Sequence, residues 1–129
     1  TTVSLYLYDG KHMPFADDSF DAVLLLFVLH HCVDPVGVLR EACRVAKKRV
    51  IIFEDLAAHP IRKLVTGAHD VVCNITFFLK HPFHVAMPFT YKSYKEWEEI
   101  CNNLGMRIVQ ARRIPYMFVT HGLFVIEKP

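Results

Sequence analysis

Apolar residues are bunched along this chain, and the densest bunch sets the frame for the rest. From Asp21 to His31 the sequence reads Asp-Ala-Val-Leu-Leu-Leu-Phe-Val-Leu-His-His. The unbroken apolar run from Ala22 to Val28 leaves no polar face, the pattern of a strand covered on both sides in a parallel sheet. In open α/β sheets ligands collect outside the carboxyl ends of the strands, where His30 and His31 would emerge. Upstream, Val3 to Tyr8 alternates like a strand and ends at Asp9-Gly10, a turn-forming pair. Because that alternation starts at once, the chain reads as beginning inside a larger unit. Downstream, Asp34-Pro35 predicts a helix start, with aspartate as cap and proline at the first helical position. Val36, Leu39, Ala42, Cys43 and Ala46 form its apolar stripe, and Lys47-Lys48 suit its carboxyl end. Arg49 to Phe53 then predicts a second buried parallel strand entering Glu54-Asp55. A right-handed strand, helix, strand unit places these acids and the two imidazoles at the same edge of the sheet.

From Pro60 to Leu79, Ile61, Leu64, Ala68, Val71, Val72, Ile75, Phe78 and Leu79 recur at helical spacing, with Arg62, Lys63, His69, Asp70 and Asn74 on the outer side. Residues 80–90 form a loop punctuated by Pro82 and Pro88 and carrying Phe83, His84, Met87 and Phe89. Ser93-Tyr94-Lys95-Glu96 has the spacing of a capping box. The helix it opens buries Trp97, Ile100, Cys101 and Leu104 and closes at Gly105. Arg107 to Ile114 and Leu123 to Ile126 are expected to pair antiparallel through a short connection around Thr120 to Gly122, with Pro115 marking an edge or an irregularity between them.

Composition narrows the function classes. A chain of 129 residues that is 53% hydrophobic, with mean hydropathy +0.24, supports one domain with a real core and argues against disorder. A net charge of +2 without a basic, aromatic-interleaved stripe gives no nucleic-acid footprint. Cys32, Cys43, Cys73 and Cys101 form no Cys-x-x-Cys pair, which reads as free thiols in a cytoplasmic protein. No apolar run reaches the ~20 residues of a membrane span, and no leader is recognised. His81 and His84 have no third ligand at a customary spacing, so no metal site is assigned.

Taken in order, Asp9-Gly10, Pro14-Phe15, Asp17-Asp18-Ser19-Phe20-Asp21, Leu29-His30-His31, Asp34-Pro35 and Leu39-Arg40-Glu41 resemble the class I S-adenosylmethionine-dependent methyltransferases. Leu104-Gly105-Met106 and a closing antiparallel pair are similar to that family's ending. The resemblance implies an α/β fold, a partial Rossmann-like sheet in which this chain supplies strands three to seven of a seven-stranded sheet. Residues 1–129 then form a single partial domain, with residues 58–92 a lid-like helical and loop insertion. The family's Gly-rich cofactor turn is missing from these residues, which contain five glycines and no Gly-x-Gly. S-adenosylmethionine binding is accordingly expected to be weak, and the chain alone inactive.

Carried over residue by residue, the resemblance puts Asp9 on the adenine amino group, Gly10 against the ring, and Leu29 and His30 near the methionine portion of the cofactor. His30 or His31 would take a proton from a hydroxyl or amine acceptor. Phe78, Phe83, Met87 and Phe89 would make an apolar lid over a small apolar acceptor. Plainer readings stand beside each of these. Asp9-Gly10 is equally a turn, the histidine pair a structural element, Glu54 and Asp55 a helix cap or partners of Arg62, and the helical apolar residues core. A non-catalytic alternative is an interaction module, a homodimer or partner complex formed through an exposed sheet edge.

Overall fold

A computed structural model of the chain describes residues 3–78 and 87–129, with Phe77 and Phe78 defined through their backbone only. The elements are β1 (Phe20–Leu26), α1 (Pro35–Val45), β2 (Ala46–Leu56), α2 (Pro60–Phe78), α3 (Tyr94–Asn103), β3 (Arg107–Tyr116) and β4 (Val119–Glu127), with a one-turn 3-10 helix at Leu29–His31. They build a mixed sheet in the order β1-β2-β4-β3. β1 and β2 are parallel, and β4 runs antiparallel to both β2 and β3. On one face, Leu25, Val50, Ile52, Phe124 and Ile126 meet Val38, Leu39 and Ala42 of α1 and Trp97 and Cys101 of α3 in one buried cluster.

Local chemistry sets the ends of these elements as expected at several points. The Asp34 carboxylate accepts from Gly37 N at 2.8 Å at the start of α1. A β-carbon at Gly37 would lie 2.3 Å from Asp34 Oδ2, so a larger residue there would push the capping carboxylate aside. Ser93 and Glu96 form the reciprocal capping box of α3, and Gly105 closes the helix with φ +71°. Pro115 lies on the edge strand β3, where the ladder hydrogen bond it cannot donate faces away from the sheet.

Five expectations are corrected. The stretch from Asp21 to His31 is not one strand: β1 stops at Leu26, Phe27 turns the chain with φ 53°, and the histidines lie in the 3-10 turn. Nor is β1 central and doubly covered. It pairs only with β2 among the described residues, and Leu24 and Leu26 are 59% and 51% exposed while Leu25 is buried. Among the described residues, nothing covers Leu24 and Leu26, while the opposite face of β1 packs on the layer of α1 and α3. Second, Val3 to Tyr8 joins no strand, and Val3, Leu5 and Leu7 are each 91% exposed. The segment does not pair with the side of β1 that is open among the described residues, so alternation alone does not suffice to make a strand. Here the segment is held instead by Tyr6 against Phe15, which in turn meets Phe20 edge-on.

Third, α1 ends at Val45 and Lys47-Lys48 already belong to β2, where Lys48 reaches Asp21 across the ladder at 3.0 Å. Fourth, the final turn falls at Met117-Phe118 rather than Thr120 to Gly122. Fifth, α2 is turned over. Its polar positions Thr66, Asp70 and Asn74 are buried, whereas Ile61, Leu64, Val72 and Ile75 face outward. Asp70 there faces the histidine turn.

Candidate functional site

Parallel pairing of Leu26 with Phe53 brings the residues after β1 alongside the end of β2. Glu54, almost fully buried, organises this end. Its Oε1 accepts from Val28 N at 2.6 Å and Leu29 N at 2.7 Å, the free donors that open the 3-10 turn. Its Oε2 lies 2.5 Å from His30 Nδ1. An acceptor-only carboxylate there puts the proton on Nδ1 and leaves Nε2 to face the interior. Glu54 therefore caps the histidine turn, and does not pair with Arg62.

The chain returning after α2 clamps the same turn. The Thr90 hydroxyl lies 3.1–3.3 Å from the carbonyl oxygens of Leu29, His30 and Cys32, donating to one at a time. Tyr91 stacks on the His30 ring with centroids 5.2 Å apart, and its hydroxyl donates to Asp70 Oδ2 at 2.9 Å. Asn74 Nδ2 donates to Asp70 Oδ1 at 3.1 Å. Asp70 Oδ2 then stands 3.6 Å from His30 Nε2, and Oδ1 stands 3.9 Å from His31 Nε2. A carboxylate inside a helix otherwise rich in apolar residues thus faces imidazoles, hydrogen-bonded by Tyr91 and Asn74, as a buried polar group must be.

A second acid and imidazole pair comes from strand register. Asp55 opposes His121 across the β2 and β4 ladder, with Oδ1 2.7 Å from His121 Nδ1. Phe27 and Phe53 meet the His121 ring at centroid distances of 5.3 and 5.4 Å.

Both pairs border one cavity of about 680 Å³, walled by Leu26, Phe27, Val28 and Tyr116 and floored by His30, His31, Asp55, Asp70 and His121. His69, Cys73 and Asn74 of α2 complete it, and among the described residues no lysine or arginine lines it. Burial works against a charged His30, but the Glu54 hydrogen bond and the charges of Glu54, Asp70 and Asp55 outweigh it and raise its pKa above the usual value. Burial raises the Asp55 carboxyl despite the opposing influence of His30 and His121. The thiols are poor nucleophile candidates: burial pushes Cys43 up to about 11 and Cys101 up to about 12.

The expected site residues separate into groups. His30 and His31 meet at the cavity, with His30 buried and His31 half-buried. Leu29 is fully buried in the core and reaches the site through its backbone. Asp9 and Gly10 lie in an exposed loop, where Asp9 Oδ1 accepts from Lys11 N and His12 N at 2.8 and 3.0 Å. They do not line the cavity. Phe89 covers Gly67 on another side of α2, in a groove with Leu64 and Val71. Met87 is half-buried. Phe83 lies outside the described residues, as does the Phe78 side chain.

Asp70, Tyr91 and His121 were not singled out from sequence. The spacing of Thr66, Asp70 and Asn74, every fourth residue on one helix face, was the available signal for Asp70. Nothing local marks Tyr91 or His121.

Residues 2–53 match the family model described as a methyltransferase domain. The demethylmenaquinone methyltransferase of Mycolicibacterium paratuberculosis (strain ATCC BAA-968 / K-10) is 44% identical over 48 residues, covering 36% of this chain and 21% of that protein. Methyltransferase GfsG of Streptomyces halstedii is 30% identical over 76 residues, covering 57% of this chain and 27% of its own length. The crystal structure of a SAM-dependent methyltransferase from Aquifex aeolicus superposes with TM-score 0.59 at 18% identity, covering 95% of this chain and 54% of that one. The matched segments thus span about a fifth to a quarter of these two curated relatives. The chain has the class I methyltransferase fold, a Rossmann-like α/β architecture.

Proposed function

We propose that this chain is the carboxyl-terminal part of an S-adenosylmethionine-dependent methyltransferase that acts on a small, largely apolar acceptor. The observation that carries the reading is the 680 Å³ cavity at the carboxyl ends of β1 and β2, apolar in its walls and imidazole-bearing on its floor. The name of the mycobacterial relative, a demethylmenaquinone methyltransferase, favours a quinone-like ring system as the class of acceptor.

Methyl transfer from a sulfonium is an in-line displacement: an acceptor oxygen, nitrogen or carbon forms the new bond to the methyl carbon as the carbon–sulfur bond breaks. S-adenosylhomocysteine leaves as a neutral thioether. Alignment supplies most of the catalysis, and the acceptor proton passes to an imidazole. His31 and His121 face the cavity, and Asp55 orients His121. His30, held between Glu54 and Asp70, is a positioning residue for the donor side. Asp9, Gly10 and the Leu29-His30 backbone are assigned to the adenosine and methionine portions of the cofactor. Phe78, Phe83, Met87 and Phe89 are assigned to the acceptor lid. With no Gly-x-Gly in these residues, cofactor binding by the chain alone is weak. Four free cysteines favour a cytoplasmic setting, and no described helix is long and apolar enough to cross a membrane.

The acceptor half of the proposal is tested by titrating the chain with a naphthalenediol while following the imidazole resonances of His31 and His121. Saturable shifts that vanish in Phe27→Glu support it, and no saturable shift up to the solubility limit removes it.

One observation favours a second reading, an association module. Among the described residues one side of β1 is unpaired, and Leu24 and Leu26 project from its exposed face. Sedimentation across a concentration series distinguishes the two: association abolished by Leu24→Lys supports a dimer through this edge, and a monomer at every concentration excludes it.

A further inference from the structure

Three carboxylates, Glu54, Asp55 and Asp70, are buried close together; Asp55 and Asp70 line the cavity, Glu54 stands behind His30, and among the described residues no lysine or arginine lines that cavity. Buried acids are compensated by hydrogen-bond donors, by protonation, by imidazolium or by a metal ion. The arrangement of His30, His31 and Asp70 is suited to the last of these.

Their candidate ligand atoms all lie within 4.8 Å of one another. His30 Nε2 to Asp70 Oδ2 is 3.6 Å and His31 Nε2 to Asp70 Oδ1 is 3.9 Å, both too long for hydrogen bonds. Donors about 2.0–2.1 Å from a tetrahedral zinc ion are about 3.3 Å apart. The two imidazole–carboxylate separations therefore close by about 0.3–0.6 Å, and the most distant donors, up to 4.8 Å apart, by as much as about 1.5 Å, a movement of side-chain rotation.

The surrounding contacts are those of ligands already oriented. His30 gives its Nδ1 proton to Glu54, which turns the Nε2 lone pair inward, the carboxylate–histidine support common behind metal ligands. Tyr91 and Asn74 each donate to Asp70, fixing that carboxylate as well. The open side of the three donors is the cavity, which leaves room for water or a substrate oxygen as fourth ligand.

We propose that His30 Nε2, His31 Nε2 and a carboxylate oxygen of Asp70 form a three-ligand site for a divalent transition-metal ion, zinc in the first instance. Two imidazoles and one carboxylate suit zinc or cobalt rather than magnesium or calcium, which take oxygen donors. A zinc ion there would polarise an acceptor hydroxyl at the cavity floor, with His121 the adjacent imidazole to receive its proton. The site itself stands independently of the methyl-transfer reading, because its test is binding.

The chain, stripped with chelator, is titrated with zinc by calorimetry and with cobalt by visible absorption. One equivalent of either ion is expected, with cobalt giving the intense bands of a four-coordinate site. His31→Ala, at the least buried ligand, is expected to weaken zinc by at least about 100-fold while its circular dichroism and melting remain those of the parent. Glu54→Gln, which leaves all three ligands in place, is expected to weaken zinc by about 10–100-fold. His69 and Cys73 lie 3.7 Å apart on the same cavity wall and provide the control: the double variant His69→Ala, Cys73→Ala retains binding. The assignment is overturned if the parent takes up no zinc at 100-fold molar excess, if folded His31→Ala binds as the parent does, or if the control variant loses the ion.

Discussion

Removing the Glu54 carboxylate tests whether one buried acid holds the histidine turn together. In Glu54→Ala, three donors lose their acceptor: Val28 N, Leu29 N and His30 Nδ1, at 2.6, 2.7 and 2.5 Å. Each buried donor left unsatisfied costs about 1–3 kcal/mol. The sum overstates the effect, since water entering from the cavity would satisfy part of it. A net loss of about 3–5 kcal/mol, the range for breaking a buried charge pair from one side, is expected. Glu54→Gln keeps the shape and one acceptor oxygen but offers an amide N–H to the His30 Nδ1 donor, and is expected to cost about 1–2 kcal/mol. Urea denaturation in metal-free buffer, followed by Trp97 fluorescence, reads these values directly. With a slope of about 1–3 kcal/mol per M, the alanine midpoint should fall by about 2 M. An alanine variant within about 0.5 kcal/mol of the parent, the ordinary surface range, would refute the claim that Glu54 organises this end of the sheet.

Three further outcomes follow from the same structure. Leu64→Lys on the outward face of α2 should change stability by less than about 0.5 kcal/mol. Asn74→Leu, behind Asp70, should cost about 1–3 kcal/mol; the reverse order by urea denaturation would mean that α2 faces the other way. Asp34→Ala removes the α1 cap and should cost about 1 kcal/mol, read as a fall in melting temperature. Glu41 accepts from Arg44 and from Met13 N. The Arg44 hydrogen bond, ahead of the smaller Met13 contribution, holds its carboxyl down to about 2. A carboxyl lowered on folding stabilises above its unfolded pKa and stops doing so as pH falls through the folded value. Exchange protection of the Met13 amide should therefore be full at pH 5 and lost progressively towards pH 2, and a constant protection factor over that window would contradict the contact.

Much of the fold was legible in local chemistry. Asp34-Pro35, the Ser93 and Glu96 box, Gly105 and the βαβ order each act over a few residues, and each is present in the structure. What was not legible depends on partners distant in sequence. The run Ala22 to Val28 has the composition of a doubly covered strand, but coverage is a property of the neighbouring layer, and among the described residues one face of β1 lacks one. The periodicity of α2 identifies a helix, yet its apolar stripe does not say what stands opposite. Asp70 faces inward, towards imidazoles supplied from the end of β1. The histidine pair was visible as a pair at a strand end. Glu54 as its cap, Tyr91 stacked on it and His121 beside it are joined only through sheet register and the return of the chain after α2.

The central claim is that the Leu29-His30 turn is the donor-facing end of a methyltransferase site, with Asp9 and Gly10 on the adenosine side. Titration of the isotope-labelled chain with S-adenosylhomocysteine, followed amide by amide, tests it most directly. The account predicts weak, fast-exchange binding, at millimolar rather than micromolar ligand, with the shifts concentrated at Asp9, Gly10, Leu29 and His30. Tight binding, or saturable shifts confined to surfaces remote from these residues, would contradict it.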